Sequence, residues 1–168
     1  MRNKQMGSIE GAVELKDIGF RSIHAKQRRT EVDVPEENPI FQLDVTIPKT
    51  KSDGESERRY EFTIALAVEI HTPEGILRVE PFAAYAVTSG EQVELSPQSV
   101  TEFANECAIP DLLPFAREAL NDLAGRVLRT QIIMPVFKKG DIQFPEPTPE
   151  ELAEMGWLSN SEPETPES

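Results

Sequence analysis

One cysteine and two histidines are all this 168-residue chain offers of the side chains that most often bind metals. A single thiol, Cys107, cannot close an internal disulfide, which fits a reducing compartment. It has no basic neighbour in sequence and falls on an apolar helical position, so it reads as a packed thiol. His24 and His71 sit near the ends of expected strands and form no ligand spacing. Neither a metal nor a cofactor is expected. No run approaches the ~20 apolar residues a membrane span requires, and the N-terminus lacks a signal peptide's apolar core. A cytoplasmic protein without membrane contact is the expectation. A glycine-rich phosphate loop, a G-x-S-x-G elbow and a dinucleotide fingerprint are also missing. Glu69 and Glu80 could face each other as an acid/base pair, but carboxylates on the solvated side of a sheet are far commoner. No catalytic residue emerges, and the sequence argues against an enzyme.

Positive charge is scarce as well. There are 17 basic and 30 acidic residues, a net of −13. Residues 1–59 are balanced at 11 of each, so residues 60–168 carry the whole excess. Such a surface repels nucleic acid and anionic lipid and favours basic partners or plain solubility. The basic run Lys26, Arg28, Arg29 is too short, and lacks the interleaved aromatics, to bind nucleic acid.

What is present is alternation followed by a helix. Residues 12–25 read as a first strand whose pattern slips near Asp17–Ile18, predicting a bulge. Phe41, Leu43, Val45 and Ile47 alternate with polar residues until Pro48 closes a second strand. Tyr60, Phe62, Ile64, Leu66, Val68 and Ile70 share one face of a third. The turn Thr72–Pro73–Glu74–Gly75 leads into a fourth, residues 76–87, where Pro81 requires an edge or a bulge. Short connections make the strands antiparallel.

Residues 97–108 suit a short helix, and residues 110–130 a long one opened by Asp111 as N-cap with Pro114 in its first turn. Residues 131–144 are apolar but hold Pro135 and Gly140, so they read as an extended crossing segment. Thr148 to Glu151 forms a capping box for one last short helix ending near Gly156. The expected organisation is a flexible N-terminus (1–11), an α+β domain (12–144) of four antiparallel strands under one long helix, and a proline-rich acidic tail (145–168) with a disordered end.

The long helix is apolar around much of its circumference. Leu112, Phe115, Leu120, Leu123 and Val127 belong to a stripe wider than one sheet face can use. Such a helix has a second surface to cover, often in another subunit. The face of strand two and the segment from Ile132 to Phe137 are also left over. They are available for packing, oligomerisation or binding something apolar.

Four short segments, in order, resemble the SecB family of export chaperones. They are Lys16-Asp17-Ile18-Gly19-Phe20 on the first strand, Leu43-Asp44-Val45 on the second, Leu113-Pro114-Phe115-Ala116-Arg117-Glu118 at the helix start, and Met134-Pro135-Val136 after it. The resemblance spans roughly residues 12 to 137. It implies subunits joined through sheets, and dimers joined through helices, into a homotetramer (a dimer of dimers), with Leu112, Phe115, Leu120, Leu123 and Val127 at the interface. It implies ATP-independent holding of unfolded polypeptides, preproteins or an antitoxin, in apolar grooves. Phe41, Leu43, Val45, Met134, Val136 and Phe137 become the client-binding residues. Asp17 keeps one member of the acidic patch on which the family docks the SecA motor. Arg21 and Arg78 stand where that patch is acidic, a repulsive change that argues against SecA docking. The family's fourth-strand double glycine is replaced around Pro81, Phe82 and Ala83, and Pro145, Pro147 and Pro149 interrupt its long C-terminal helix. The groove is therefore expected to be covered differently. An oligomeric adaptor for one folded partner is the alternative reading.

Overall fold

The unbroken alternation of the third strand places it at the centre of the sheet. The computed structural model describes residues 9–34, 39–48, 61–88 and 95–154. Its strands are β1 (Val13–Gln27), β2 (Ile40–Thr46), β3 (Glu61–Thr72) and β4 (Gly75–Val87). They lie in the order β1-β4-β3-β2 with every neighbouring pair antiparallel. Strands β2 to β4 follow as a meander while β1 returns beside β4, a Greek-key order that leaves β1 and β2 as the edges. Phe62, Ile64, Leu66, Val68 and Ile70 are all buried, and the register sets Tyr85, Ala83, Val79 and Leu77 beside them on the same face.

The expected bulge is a register shift between Leu15 and Asp17, and a second lies between Phe20 and Ser22, opposite Pro81. The β3–β4 ladder is also interrupted there, between Ala65↔Phe82 and Val68↔Val79. A proline thus sits in a central strand because both neighbours step aside for it. At the β3–β4 hairpin, Gly75 packs so closely that a Cβ would strike the Lys26 carbonyl and come within 2.5 Å of Leu128 Cδ2.

The helical layer differs from the sequence expectation. α1 (Pro97–Phe103), a wide turn (Ala104–Ala108), α2 (Ile109–Leu123) and a second wide turn (Ala124–Leu128) run on with right-handed backbone at each join. No break occurs at Pro110. The Ile109 N–H reaches back five residues to the Ala104 carbonyl, the spacing of a π-helix. Widening just ahead of Pro110 relieves the clash and missing hydrogen bond that proline imposes on an α-helix. The N-cap is therefore Ser96, not Asp111. Its hydroxyl accepts the Ser99 N–H at 3.2 Å, and the Ser99 hydroxyl accepts the Ser96 N–H at 3.0 Å. Pro114 lies inside α2. Arg129 ends the helix in the left-handed conformation, φ 54°.

Ile109, Leu112, Leu113, Ala116, Leu120, Ala124 and Leu128 seat this layer on the sheet. Phe62 stacks on Tyr85 at 5.3 Å, and Phe103 meets Tyr85 edge-on at 4.9 Å. The Tyr85 hydroxyl is buried without a partner among the described residues; desolvation, then the nearby negative charge of Asp111, pushes its pKa up to about 12. After the crossing segment, the Thr148 box caps α3 (Pro149–Glu154): the Thr148 N–H donates to Glu151 Oε2 at 2.7 Å and the Glu151 N–H to Thr148 Oγ1 at 3.3 Å. No helix among the described residues is long and apolar enough to cross a membrane. Of the expected flexible N-terminus (1–11), residues 9–11 form a short 3-10 turn with Ile9 buried. Residues 1–8, the polar turn at 49–58, Tyr60, the expected end of the last helix near Gly156 and the expected disordered end (159–168) lie outside the described residues.

Candidate functional site

Strand β2 pairs on one side only, with β3. Among the described residues its other edge bonds to no strand, and an open edge is a template for a further strand. Phe41, Leu43 and Val45 alternate toward the helical side and are only half-buried. Helix α1 lies against β2, and Phe41 is covered by the segment that follows Arg129. There Phe137 meets Phe41 edge-on at 5.3 Å, and Met134 is buried. The segment hangs on side chains instead of a ladder. Arg117 Nη2 donates to the Pro135 carbonyl at 2.9 Å, and Asp141 Oδ2 accepts the Lys138 N–H at 2.7 Å. Further on, the Asn105 amide holds the main chain of Phe144. A cavity of about 410 Å³ opens where Phe41, Leu43 and Asp44 meet Phe144, Arg78 and Glu80.

The structure thus sets Phe41, Leu43 and Val45 on the β2 rim with Phe137 against Phe41. Met134 is buried in the core cluster. Val136 points away from cover at 79 % exposure, and Ile133, which the sequence did not single out, is bare at 93 %. Of the helix positions, Leu112 and Leu120 are fully buried against the sheet. Phe115 is 40 % exposed, and Leu123 and Val127 are half-buried. With half-buried Ala119 they form a ridge at four-residue spacing along the helix, in which Ala119, Leu123 and Val127 still pack against the core cluster. Asn105, Arg117 and Phe144 were missed as site residues. Nothing local in sequence marks an amide for a main chain 39 residues away.

The opposite face of the sheet carries the charged side chains, interspersed with Ala65, Ala67, Phe82 and Ala84. Asp17 is exposed on β1. Arg21 reaches from β1 to Asp44 of β2 and lies 3.6 Å from Glu80 of β4. Arg78 of β4 donates to Gln42 Oε1 of β2 at 3.2 Å and lies 3.5 Å from Glu69 and 3.8 Å from Glu80. Strand β3 lies beneath these links and carries Ala65 and Ala67 there, both buried. The two arginines are therefore balanced by carboxylates, and together they fasten β2 to the sheet. The Glu69 carboxyl is held below its usual range by a hydrogen bond from His71 at 2.5 Å, opposed in part by burial and reinforced by Arg78. A carboxyl biased to stay ionised is poorly suited to the acid role weighed for the Glu69–Glu80 pair.

No family model matches the chain, and no curated protein matches it in sequence. Among solved structures it is similar to a SecB-like chaperone of Mycobacterium tuberculosis in complex with a ChAD peptide from the HigA1 antitoxin. The TM-score is 0.59 at 15% identity, over 77% of this chain and 91% of that one. It is also similar, at a TM-score of 0.44 and 16% identity, to a protein of unknown function from Streptococcus agalactiae, over 74% of this chain and 97% of that one. The antiparallel four-stranded sheet with one long helix packed on it is the SecB-like fold.

Proposed function

We propose that this chain is a polypeptide-binding chaperone that holds unfolded or aggregation-prone segments, without ATP, against the β2 rim. The observation that carries the reading is the rim itself. An edge with no strand partner among the described residues carries apolar side chains that the subunit leaves half-covered, and Ile133 and Val136 of the segment after the helix are bare. Main-chain bonding to an edge, with apolar pockets for alternate side chains, selects extended hydrophobic chains with little regard for sequence. The likeness of fold to a chaperone that binds an antitoxin peptide supports a ligand of the same kind, an antitoxin or a preprotein. In this reading Phe41, Leu43, Val45 and Phe137 form the wall, Met134 backs it and Val136 reaches the client. Phe115, Leu123 and Val127 cover a second copy in a homotetramer, working in the cytoplasm. SecA docking at Asp17 is no part of it, because paired arginines occupy that face.

The test is light scattering of a reduced, aggregating protein such as insulin. Suppression at near-equimolar chaperone is expected. No effect in several-fold molar excess would remove the holding activity. Retention of one folded partner, with no unfolded chain bound, would make the protein an adaptor.

A further inference from the structure

The rim is partly filled by the chain's own tail, and the manner of filling is informative. Asn105 stands on the wide turn ahead of Pro110. Its Nδ2 donates to the Phe144 carbonyl at 2.9 Å, and its Oδ1 accepts the Phe144 N–H at 2.8 Å. One amide thereby satisfies both main-chain groups of one residue, as a neighbouring strand would, and ignores the identity of its side chain. Phe144 is half-buried and lines the same cavity as Phe41 and Leu43, a cavity whose other walls are Gln42, Asp44, Ala67, Arg78 and Glu80. Residues 141–147 belong to no helix or strand. Pro145 and Pro147 bring no N–H of their own to the surroundings. This is how a receptor holds an extended peptide: main-chain clamps, one apolar anchor, no internal ladder.

We propose that the Asn105 seat is the anchor subsite for an extended client segment bearing a large apolar side chain, and that residues 141–147 occupy it until such a segment displaces them. The proposal rests on the polypeptide-binding reading above and says where the client is gripped and what it competes with. The exchange is nearly balanced, because two main-chain hydrogen bonds and one half-buried ring leave as two and one arrive. A seat filled most of the time lowers apparent affinity by the fraction of time it is free.

The probe is fluorescein-labelled lactalbumin, reduced and carboxymethylated so that it stays unfolded, followed by anisotropy with the full chain. F144S should bind it about ten-fold more tightly than the wild type, because its competitor loses the anchor. F144S/N105A should lose that gain, since the client needs the same amide; a protein that is merely loosened would keep it. In the wild type, the probe should speed hydrogen exchange at the Phe144 amide. If the wild type binds and F144S binds no better, the seat is not shared: this proposal fails and the holding reading stands. If neither binds, both fail. A freed seat taken by a second copy, seen as doubled mass without tighter probe binding, also overturns it.

Discussion

Two aromatic contacts in this molecule have the same spacing and different fates. Phe62 and Tyr85 stack at 5.3 Å in the interior, and Phe41 and Phe137 meet at 5.3 Å on the rim. Phe62 is 1 % exposed, whereas the rim pair is only half-covered. What differs is the scaffold. The interior rings stand on two central strands, each paired on both sides, and on a capped helix. The rim rings stand on an edge strand and on a segment held by the Arg117 and Asn105 side chains. A contact made between such elements is cheap to undo and can be remade with another chain, which is what a binding surface needs.

Truncation gives the largest contrast. Phe62→Ala removes a fully buried ring that touches two others, and should cost about 3–5 kcal/mol of unfolding free energy. Phe41→Ala removes a half-exposed ring on an edge strand, and should cost about 1 kcal/mol, near the centre of the range for point mutants. Binding of an unfolded probe should reverse the order: lost or much weakened in Phe41→Ala, and retained in Phe62→Ala under conditions where it stays folded. Urea unfolding and probe anisotropy on both variants measure this. Equal stability losses would mean the rim is core by another name.

The interior was far easier to read from sequence than the rim. Five alternate apolar residues from Phe62 to Ile70 leave β3 one face to bury, and the structure buries them all. Phe41, Leu43 and Val45 follow the same rule, so the strand was legible and its face was counted as left over, while the extent of its cover was not. Half-burial depends on what the distant segment 131–144 does. The helix was legible as an apolar stripe, yet its division was misplaced, because local rules take Pro110 and Pro114 as helix starts. The structure absorbs Pro110 with a wide turn and caps the helix 14 residues earlier, at Ser96. Pro81 is the converse case: its local rule demanded an edge or a bulge, and in this central strand the answer is a bulge in β1 opposite it. Asn105 illustrates the limit. Its neighbours in sequence say helix, and its task is set by a residue beyond the next helix.

The junction between the two regions offers a smaller test. Arg129 turns the chain from the rigid helix onto the rim with φ 54°, a conformation that glycine adopts without steric cost. Arg129→Gly should relieve about 1 kcal/mol of left-handed strain, less what the freer unfolded chain takes back, for a net gain of about 0.5 kcal/mol. Because the turn precedes the rim and does not line it, probe affinity should be unchanged. A stability loss on urea titration would mean that the arginine side chain, not its backbone, holds this corner.

The smallest effect lies in the fastening of β2 on the charged face. Arg78 links Gln42 of β2 to Glu69 of β3, and Glu69 is held ionised chiefly by His71. A carboxyl whose pKa is depressed by folding binds protons more weakly in the folded state than in the unfolded one. Its contribution is therefore complete above the ordinary glutamate value, ~4.3, and is lost as pH falls through the lower, folded value. With Glu69 only partly buried, the stake is a few tenths of a kcal/mol, too little to unfold the interior. It should show first as faster hydrogen exchange at the β2 amides bonded to β3, in acid, while the β3–β4 amides keep their protection. Glu69→Gln should show that looser β2 already at neutral pH and respond less to acid. If β2 and the β3–β4 pair lose protection together in the wild type, the rim has no separate stability, and the distinction drawn from the two aromatic contacts fails with it.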